Sequence, residues 1–343
     1  MDYHEAPPNK ELILAQYDVY GVGNALVDME FEVTPDFLQE MKVEKGLMTL
    51  VDEARQAELI NNLHGTQHKR SCGGSAANTL IAVAQMGGKG FYSCKVAGDE
   101  TGDFYTKDLL ASGLESNIKD SAPDGITGRC LVMITPDADR TMNTYLGITE
   151  TFSEAELNPE AVKNSKYVYL EGYLVTSPTG KAAAIKARDL AKEAGVKVAL
   201  TFSDPGIVGF FKDGFIEMIG EGVDLIFCNE DEARSFTGKE NLGEAFEELK
   251  KVAKTFAITT GAAGAMLWDG HKEIQVVTAP VDAIDTNGAG DLFAGSFLYA
   301  LTQGKTFGEA GKLACAASGK LVQQFGPRLK KEQAQEIRKR IFG

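Results

Sequence analysis

The chain has 343 residues, 43% of them hydrophobic and 24% charged, and a formal net charge of −14. That length buries a large core, the composition is that of a globular fold, and no run reaches the ~18 apolar residues of a membrane span. The acidic balance repels phosphate backbones, so no nucleic-acid partner is expected.

The start, MDYHEAPPNKE, lacks the basic and apolar regions of a secretory signal, and a cytoplasmic location is expected. The first strand-like run ends in YGVGNALVDM, leaving Asn24 and Asp28 past its carboxyl end. An acid there either takes two hydrogen bonds from a vicinal diol or is an ordinary turn aspartate. LVDMEFEV (26–33) and GLMTLV (46–51) read as hairpin-like β segments with no helix between them. SCGGSAANTLIAVAQMGG (71–88) runs from Gly73-Gly74 through Ser75 into a helix, with Asn78 one turn in and Gly87-Gly88 as the stop. The di-glycine either lets backbone approach a small polar ligand or is a tight turn. GRCLVMITPDADRTMNTYLG (128–147) reads as a second hairpin turning at Pro136-Asp137-Ala138-Asp139.

From there the rhythm changes. YVYLEGYL (167–174), VKVALTF (196–202), VDLIFCN (223–229) and TFAITTG (255–261) are apolar strands separated by amphipathic helices, among them PTGKAAAIKARDLAKEAG, GIVGFFKDGFIEMIGEG, EDEARSFTG and LGEAFEELKKVAK. Such alternation means a doubly wound, mainly parallel α/β sheet covered on both faces, with ligands beyond the carboxyl ends of its strands. The inserted β segments then form a small sheet acting as a lid. The expected division puts 28–51, 67–74 and 127–146 in the lid and 1–27, 52–66, 75–126 and 147–343 in the large domain.

After the strand-like QVVTAPVDAID comes DTNGAGD, and an apolar helical stripe follows from Phe293 to Leu301. Gly288, Ala289 and Gly290 leave backbone amides open at a helix N-terminus, which suits a phosphoryl group. Asp291 in that first turn either favours the helix dipole, for ~0.3–1 kcal/mol, or serves as a general base beside the amides. The last basic stretch, RLKKEQAQEIRKR, reads as the solvated face of a final helix. Five scattered cysteines without a C-x-x-C pair, and four scattered histidines, read as buried reduced thiols and not as a disulfide framework or zinc cluster. No G-x-x-x-x-G-K-[ST] occurs, and Leu26 stands where G-x-G-x-x-G needs its third glycine, so neither a Walker loop nor a dinucleotide site is indicated.

Taken together, GGSAAN with VAGDETGDFY, N-x-x-E at Asn229 to Glu232, T-x-G at Thr259 to Gly261, and DTNGAGD resemble the PfkB, or ribokinase-like, family of carbohydrate and nucleoside kinases, from Tyr17 to about Gly326. The resemblance implies Asp291 as base and the amides of Gly288, Ala289 and Gly290 as anion hole. It implies that Asn24, Asp28, Gly73, Gly74, Ser75 and Asn78 hold a sugar ring. Asn229, Thr259, Gly261, Gly264 and Asn287 would lie by ATP, and Glu232 would help place Mg²⁺ indirectly. Arg140 is either a lid arginine that closes onto the phosphoryl group or a surface arginine. A monovalent cation such as K⁺ beside Asp285 is implied by resemblance alone.

GNALVD, RTMNTYLG and EGYLVTSP resemble the adenosine-kinase branch of that family. A nucleoside needs an apolar slot for its base, and Met48, Leu50, Met142, Leu146 and Tyr173 either line it or are core packing. The expected reaction is transfer of the ATP γ-phosphoryl group to the 5′-hydroxyl of a ribonucleoside, adenosine first. A kinase of inosine or guanosine, a kinase of free ribose or fructose, and a non-catalytic sugar or nucleoside sensor are the alternatives. The protein is expected as a monomer or homodimer.

Overall fold

A computed structural model describes residues 15–63, 67–120, 123–137 and 139–343. The whole N-terminal stretch MDYHEAPPNKE and Ala138 of the expected turn lie outside the described residues. In chain order the strands are β1 (Tyr17–Val22), β2 (Leu26–Glu32), β3 (Met48–Leu50), β4 (Gln67–Gly73), β5 (Gly90–Ser93), β6 (Thr127–Ile134), β7 (Arg140–Gly147), β8 (Ser165–Leu170), β9 (Lys197–Thr201), β10 (Val223–Asn229), β11 (Ala253–Thr259), β12 (Ala265–Trp268) and β13 (Glu273–Val276). The helices are α1 (Pro35–Glu40), α2 (Glu53–Asn62), α3 (Ser75–Met86), α4 (Glu100–Ala111), α5 (Pro159–Lys163), α6 (Pro178–Ala194), α7 (Pro205–Phe210), α8 (Lys212–Ile219), α9 (Glu230–Thr237), α10 (Leu242–Leu249), α11 (Ala289–Thr302), α12 (Phe307–Leu321) and α13 (Lys331–Phe342).

Eight strands form the large sheet in the order β13-β12-β11-β10-β9-β8-β1-β5, parallel from β5 to β11, with β12 and β13 antiparallel at one edge. The expected doubly wound α/β class is what the chain adopts. Every residue of β1 is buried, as a strand covered on both faces requires. One core lies on each side of the sheet: α3, α11 and α12 cover one face, and α6, α8 and α10 cover the other. Helix limits follow local chemistry. Ser177 caps α6 at the N-terminus ahead of Pro178, and Gly195 ends it in the left-handed conformation. The expected helix over 206–222 divides into α7 and α8 at Phe211, and the run after Leu170 turns into a short 3₁₀ segment, Gly172–Thr176, instead of continuing as strand.

Helix α11 carries Asp291 and packs closely on α3. A Cβ at Gly295 would stand 2.2 Å from the Thr79 carbonyl oxygen, so only glycine lets the two helices approach this far. Phe293 and Phe297 of α11 stack at 5.8 Å, and both are buried, worth roughly 1.5–3 kcal/mol each. This packing sets the N-terminal turns of α3 and α11 face to face.

The small sheet runs β3-β7-β6-β2-β4. The hairpin expected at 128–147 is present as the antiparallel pair β6 and β7. The other expected hairpin is not: α1 stands between β2 and β3, and β3 pairs in parallel with β7. Thr34 caps α1 and Pro35 opens it, a start signal that outweighs the β-rich flanks. Period-2 alternation divides the sheet's faces. Phe31, Leu131 and Met133 face outward onto Leu38 of α1 and Leu59 of α2. The apolar side of α2 thus packs on the small sheet, although the boundary expected at residue 52 assigned it to the large domain. Asp28, Cys130, Met142 and Thr144 face inward, toward a cleft at the carboxyl ends of the parallel strands.

Candidate active site

The cleft between the two sheets encloses about 640 Å³. Its wall gathers most of the residues singled out in the sequence: Asn24, Asp28, Met48, Leu50, Gly74, Ser75, Asn78, Arg140, Met142, Leu146, Tyr173, Asn229, Glu232 and the run Asn287 to Asp291. Segments more than 200 residues apart thereby meet in one concave site, the usual setting of chemistry in open α/β sheets.

Gly288 takes the left-handed conformation, φ 71°, at the N-cap of α11, and a Cβ there would lie 2.6 Å from the Pro327 carbonyl oxygen. Only glycine serves that turn. Asp291 is the third residue of the helix that follows. Its Oδ1 accepts a 2.6 Å hydrogen bond from Ser75 Oγ, and its Oδ2 accepts one of 3.2 Å from Asn78 Nδ2. Burial pushes the carboxyl up to about 6, while those two hydrogen bonds and the charge of Arg328 pull it down. A group so placed is ionised at neutral pH and still basic enough to take a proton, which a mere capping acid does not need. Of the three amides expected to hold an anion, that of Ala289 donates to the Thr286 carbonyl at 3.2 Å.

Asp28 follows β1, as its sequence context led us to expect, but not as part of an open strand end. It lies within β2, and the pleat turns its carboxyl into the cleft. Burial raises it to about 7, with Glu30 and Asp291 adding to the rise and Arg328 and Arg140 opposing it. Gly73 does not line the cleft. It backs Asp28, and a Cβ on it would fall 2.3 Å from that carboxyl group. Asn24 lines the cleft, but its amide is committed inward: Nδ2 donates to Glu171 Oε1 at 3.0 Å, and Oδ1 accepts from Thr149 Oγ1 at 3.4 Å.

Asn229 and Glu232 open α9 as a reciprocal capping box. Asn229 Oδ1 accepts from the Glu232 N–H, and Glu232 Oε2 accepts from the Asn229 N–H. Burial lifts the Glu232 carboxyl to about 7, and the nearby charges of Asp204, Asp291 and Asp231 push it the same way. Arg140 is no surface arginine. Its side chain is 8% exposed, Nη2 donates to the Asp285 carboxylate, and Nη1 lies 4.0 Å from Glu30 Oε1. The Asp285 carboxylate also accepts from the N–H groups of Asn287 and Gly326.

Thr259, Gly261 and Gly264 line a second cavity of about 280 Å³ with Phe293, Cys315 and Val322. It shares Thr286, Ala289 and Gly290 with the main cleft, so the two spaces meet across the start of α11. Asn287, expected beside the nucleotide, is on the main-cleft side.

Sequence reasoning missed Glu171, Ser203, Asp204 and Arg328. Glu171 accepts from the backbone N–H of Asn24 and of Ala76, tying the loop after β1 to the start of α3. A lone acid ending the apolar run YVYLEG was its signal. Ser203 lines the cleft at φ 70°, unusual for a residue with a Cβ and invisible in sequence. All five cysteines are free and buried, as expected, and among the described residues no group of His, Cys, Asp and Glu has the arrangement of a metal cluster. Among those residues, too, no helix is long and apolar enough to cross a membrane.

A doubly wound sheet, a small sheet over its strand ends, and an acid beside helix-end amides that separate two cavities define a phosphotransferase with a hydroxyl acceptor. The chain belongs to the pfkB family of carbohydrate kinases, whose profile matches residues 47–334. It is 29% identical to adenosine kinase of Saccharomyces cerevisiae over 331 residues, 89% of this chain and 95% of that protein. Among solved structures, adenosine kinase from Sinorhizobium meliloti superimposes with a TM-score of 0.89 at 34% identity, covering 95% of this chain and all of that one. A probable sugar kinase from Rhizobium etli CFN 42 is equally similar, with a TM-score of 0.88 and 34% identity over 95% of this chain and 98% of that one.

Proposed function

We propose that the protein transfers the γ-phosphoryl group of ATP to the 5′-hydroxyl of a ribonucleoside, adenosine first. The observation that carries the acceptor is the composition of the cleft. Asp28 and Asn78 offer polar groups for a diol, and Met48, Leu50, Met142, Leu146 and Tyr173 line the same cleft with apolar surface that suits a base. A free sugar leaves that wall unfilled. The similarity to adenosine kinases supports the same acceptor.

In this reading the acceptor hydroxyl lies against Asp291, which takes its proton as the oxygen attacks phosphorus. First-turn amides of α11 face the charge that develops on the transferred group. The smaller cavity, built from Thr259, Gly261 and Gly264, takes the adenine side of ATP. Mg²⁺, when bound, neutralises phosphate charge. Glu232 suits a water-mediated contact to it, because Asn229 already donates to both carboxylate oxygens and the surrounding carboxylates leave negative charge uncompensated. Closure of the small sheet carries Arg140 toward the phosphates and excludes water, a competing acceptor. A monovalent cation such as K⁺ would have to use carbonyls near Asp285, whose carboxylate is engaged by Arg140; activity in KCl against a bulky organic cation tests that. The same reading includes a cytoplasmic location, where an ATP-consuming salvage reaction of this kind finds its co-substrate.

ATP consumption against a panel of nucleosides and free sugars tests the acceptor. Turnover with adenosine well above that with ribose or fructose is expected. Turnover with sugars and with no nucleoside refutes the nucleoside reading and favours the sugar-kinase relative.

A further inference from the structure

The segment Gly326 to Leu329, between α12 and α13, touches both halves of the site. The Gly326 N–H donates to Asp285 Oδ2 at 2.7 Å, Pro327 packs under Gly288, and the Leu329 carbonyl accepts from Gln85 of α3 at 2.7 Å. Between these anchors Arg328 turns inward, its side chain 9% exposed. Its Nε donates to Asn78 Oδ1 at 3.0 Å, its Nη1 to Asp108 Oδ2 at 3.3 Å, and its Nη2 to Cys72 Sγ at 3.1 Å. Asp108 is itself fixed by the Cys72 N–H at 2.8 Å.

An asparagine amide presents an acceptor on one side and donors on the other. With Oδ1 held by Arg328, Asn78 must offer Nδ2 to Asp291, as it does at 3.2 Å. A flipped amide would set its oxygen against the carboxylate and repel it. We propose that Arg328 is a positioning residue for phosphoryl transfer, orienting Asn78 so that Asp291 is held as a proton acceptor and keeping a positive charge behind that pair. The inference rests on the reading of Asp291 as the base.

Arg328 is a cation acting on Asp291 in a site crowded with acids. Asp28 of β2, Glu171 and Tyr173 after β8, Tyr169 of β8 and Glu232 of α9 all interact with the Asp291 charge, while Ser75 and Asn78 of α3 donate to it. Removing the guanidinium therefore raises the pH at which the base is lost, and loosens its geometry.

The test is the pH profile of kcat for Arg328→Met and Arg328→Lys, measured on the full chain with its nucleoside. Arg328→Met is expected to lower kcat at least tenfold, to move the acid limb up by about one pH unit, and to change the acceptor KM less than kcat. Arg328→Lys should return the limb most of the way while kcat stays low, because an ammonium carries the charge without the fork that grips Asn78 and Asp108 together. A limb that stays in place in Arg328→Met, whatever its kcat, overturns the proposal, since a merely structural role predicts that. If Arg328→Met does not fold, Asp108→Asn decides. It unpins the guanidinium and exposes Asp291 more fully to its charge, so kcat falls and the limb moves down, and an unmoved limb overturns the proposal. Near-normal turnover in Asp291→Asn would instead remove the base reading itself, a separate failure.

Discussion

Replacing Asp28 with asparagine should gain stability while losing acceptor affinity. Burial raises this carboxyl from 3.8 to about 7, so the folded state keeps its proton where the unfolded chain has lost it. For an acid raised on folding, stability is fully present below the unfolded value and is lost as pH rises through the folded one. At 1.36 kcal/mol per unit, the raised carboxyl lowers stability by about 2 kcal/mol at pH 5, where only the unfolded chain is ionised, and by about 4 kcal/mol at pH 8. Asparagine does not titrate and fits the same space behind Gly73. Its advantage over the native chain should therefore grow by about 2 kcal/mol between the two pH values. A chain of 343 residues loses about 0.7 kcal/mol per degree near its midpoint, so that is about 3 °C in Tm. Thermal unfolding at pH 5 and 8 reads it, and comparing the pair cancels contact losses that do not depend on pH. At pH 8, where the native carboxyl is ionised, the acceptor KM should rise at least tenfold, because that charged diol acceptor is gone. A stability difference that is flat with pH would refute the burial argument, and an unchanged KM would remove Asp28 from the clamp.

Gly288→Ala forces a Cβ into the left-handed turn and onto Pro327, and should cost about 2–4 kcal/mol in urea unfolding with a larger fall in kcat than in acceptor affinity. Arg140→Met leaves the buried Asp285 carboxylate without its cation, so Tm should drop by about 4–7 °C. Adding Asp285→Asn should recover part of that loss but not the rate. In the native enzyme kcat should fall tenfold per pH unit below about 6, where Asp291 takes up its proton.

The site was legible in sequence where chemistry is written in contiguous residues. DTNGAGD predicts open amides followed by an acid, and the loop does open α11 with Asp291 in its first turn, although the Ala289 amide is spent on the Thr286 carbonyl. GGSAAN predicts small residues entering a helix, but not that Gly73 serves Asp28 while Gly74 and Ser75 serve the cleft. That distinction depends on which strand lies alongside, β2 against β4. Asp28 was found as a residue, and its β segment was rightly given to the small sheet; what the sequence did not say is that the pleat of β2, and not a strand end, aims the carboxyl into the cleft. Helix α1 carried a plain start signal in Thr34-Pro35, hidden by its β-rich flanks. Arg328 had no local signal at all. In sequence it is one more cation in RLKKEQAQEIRKR, and only the packing of α3 against the segment before α13 turns it from solvent onto Asn78.

The most direct measurement is the rate of nucleoside phosphorylation by Asp291→Asn beside the native enzyme, with acceptor binding measured on both. Loss of the base with the cleft intact predicts kcat lower by at least about 10³-fold and an acceptor Kd within a few-fold of native. Turnover within tenfold of native, at unchanged affinity, would contradict the account.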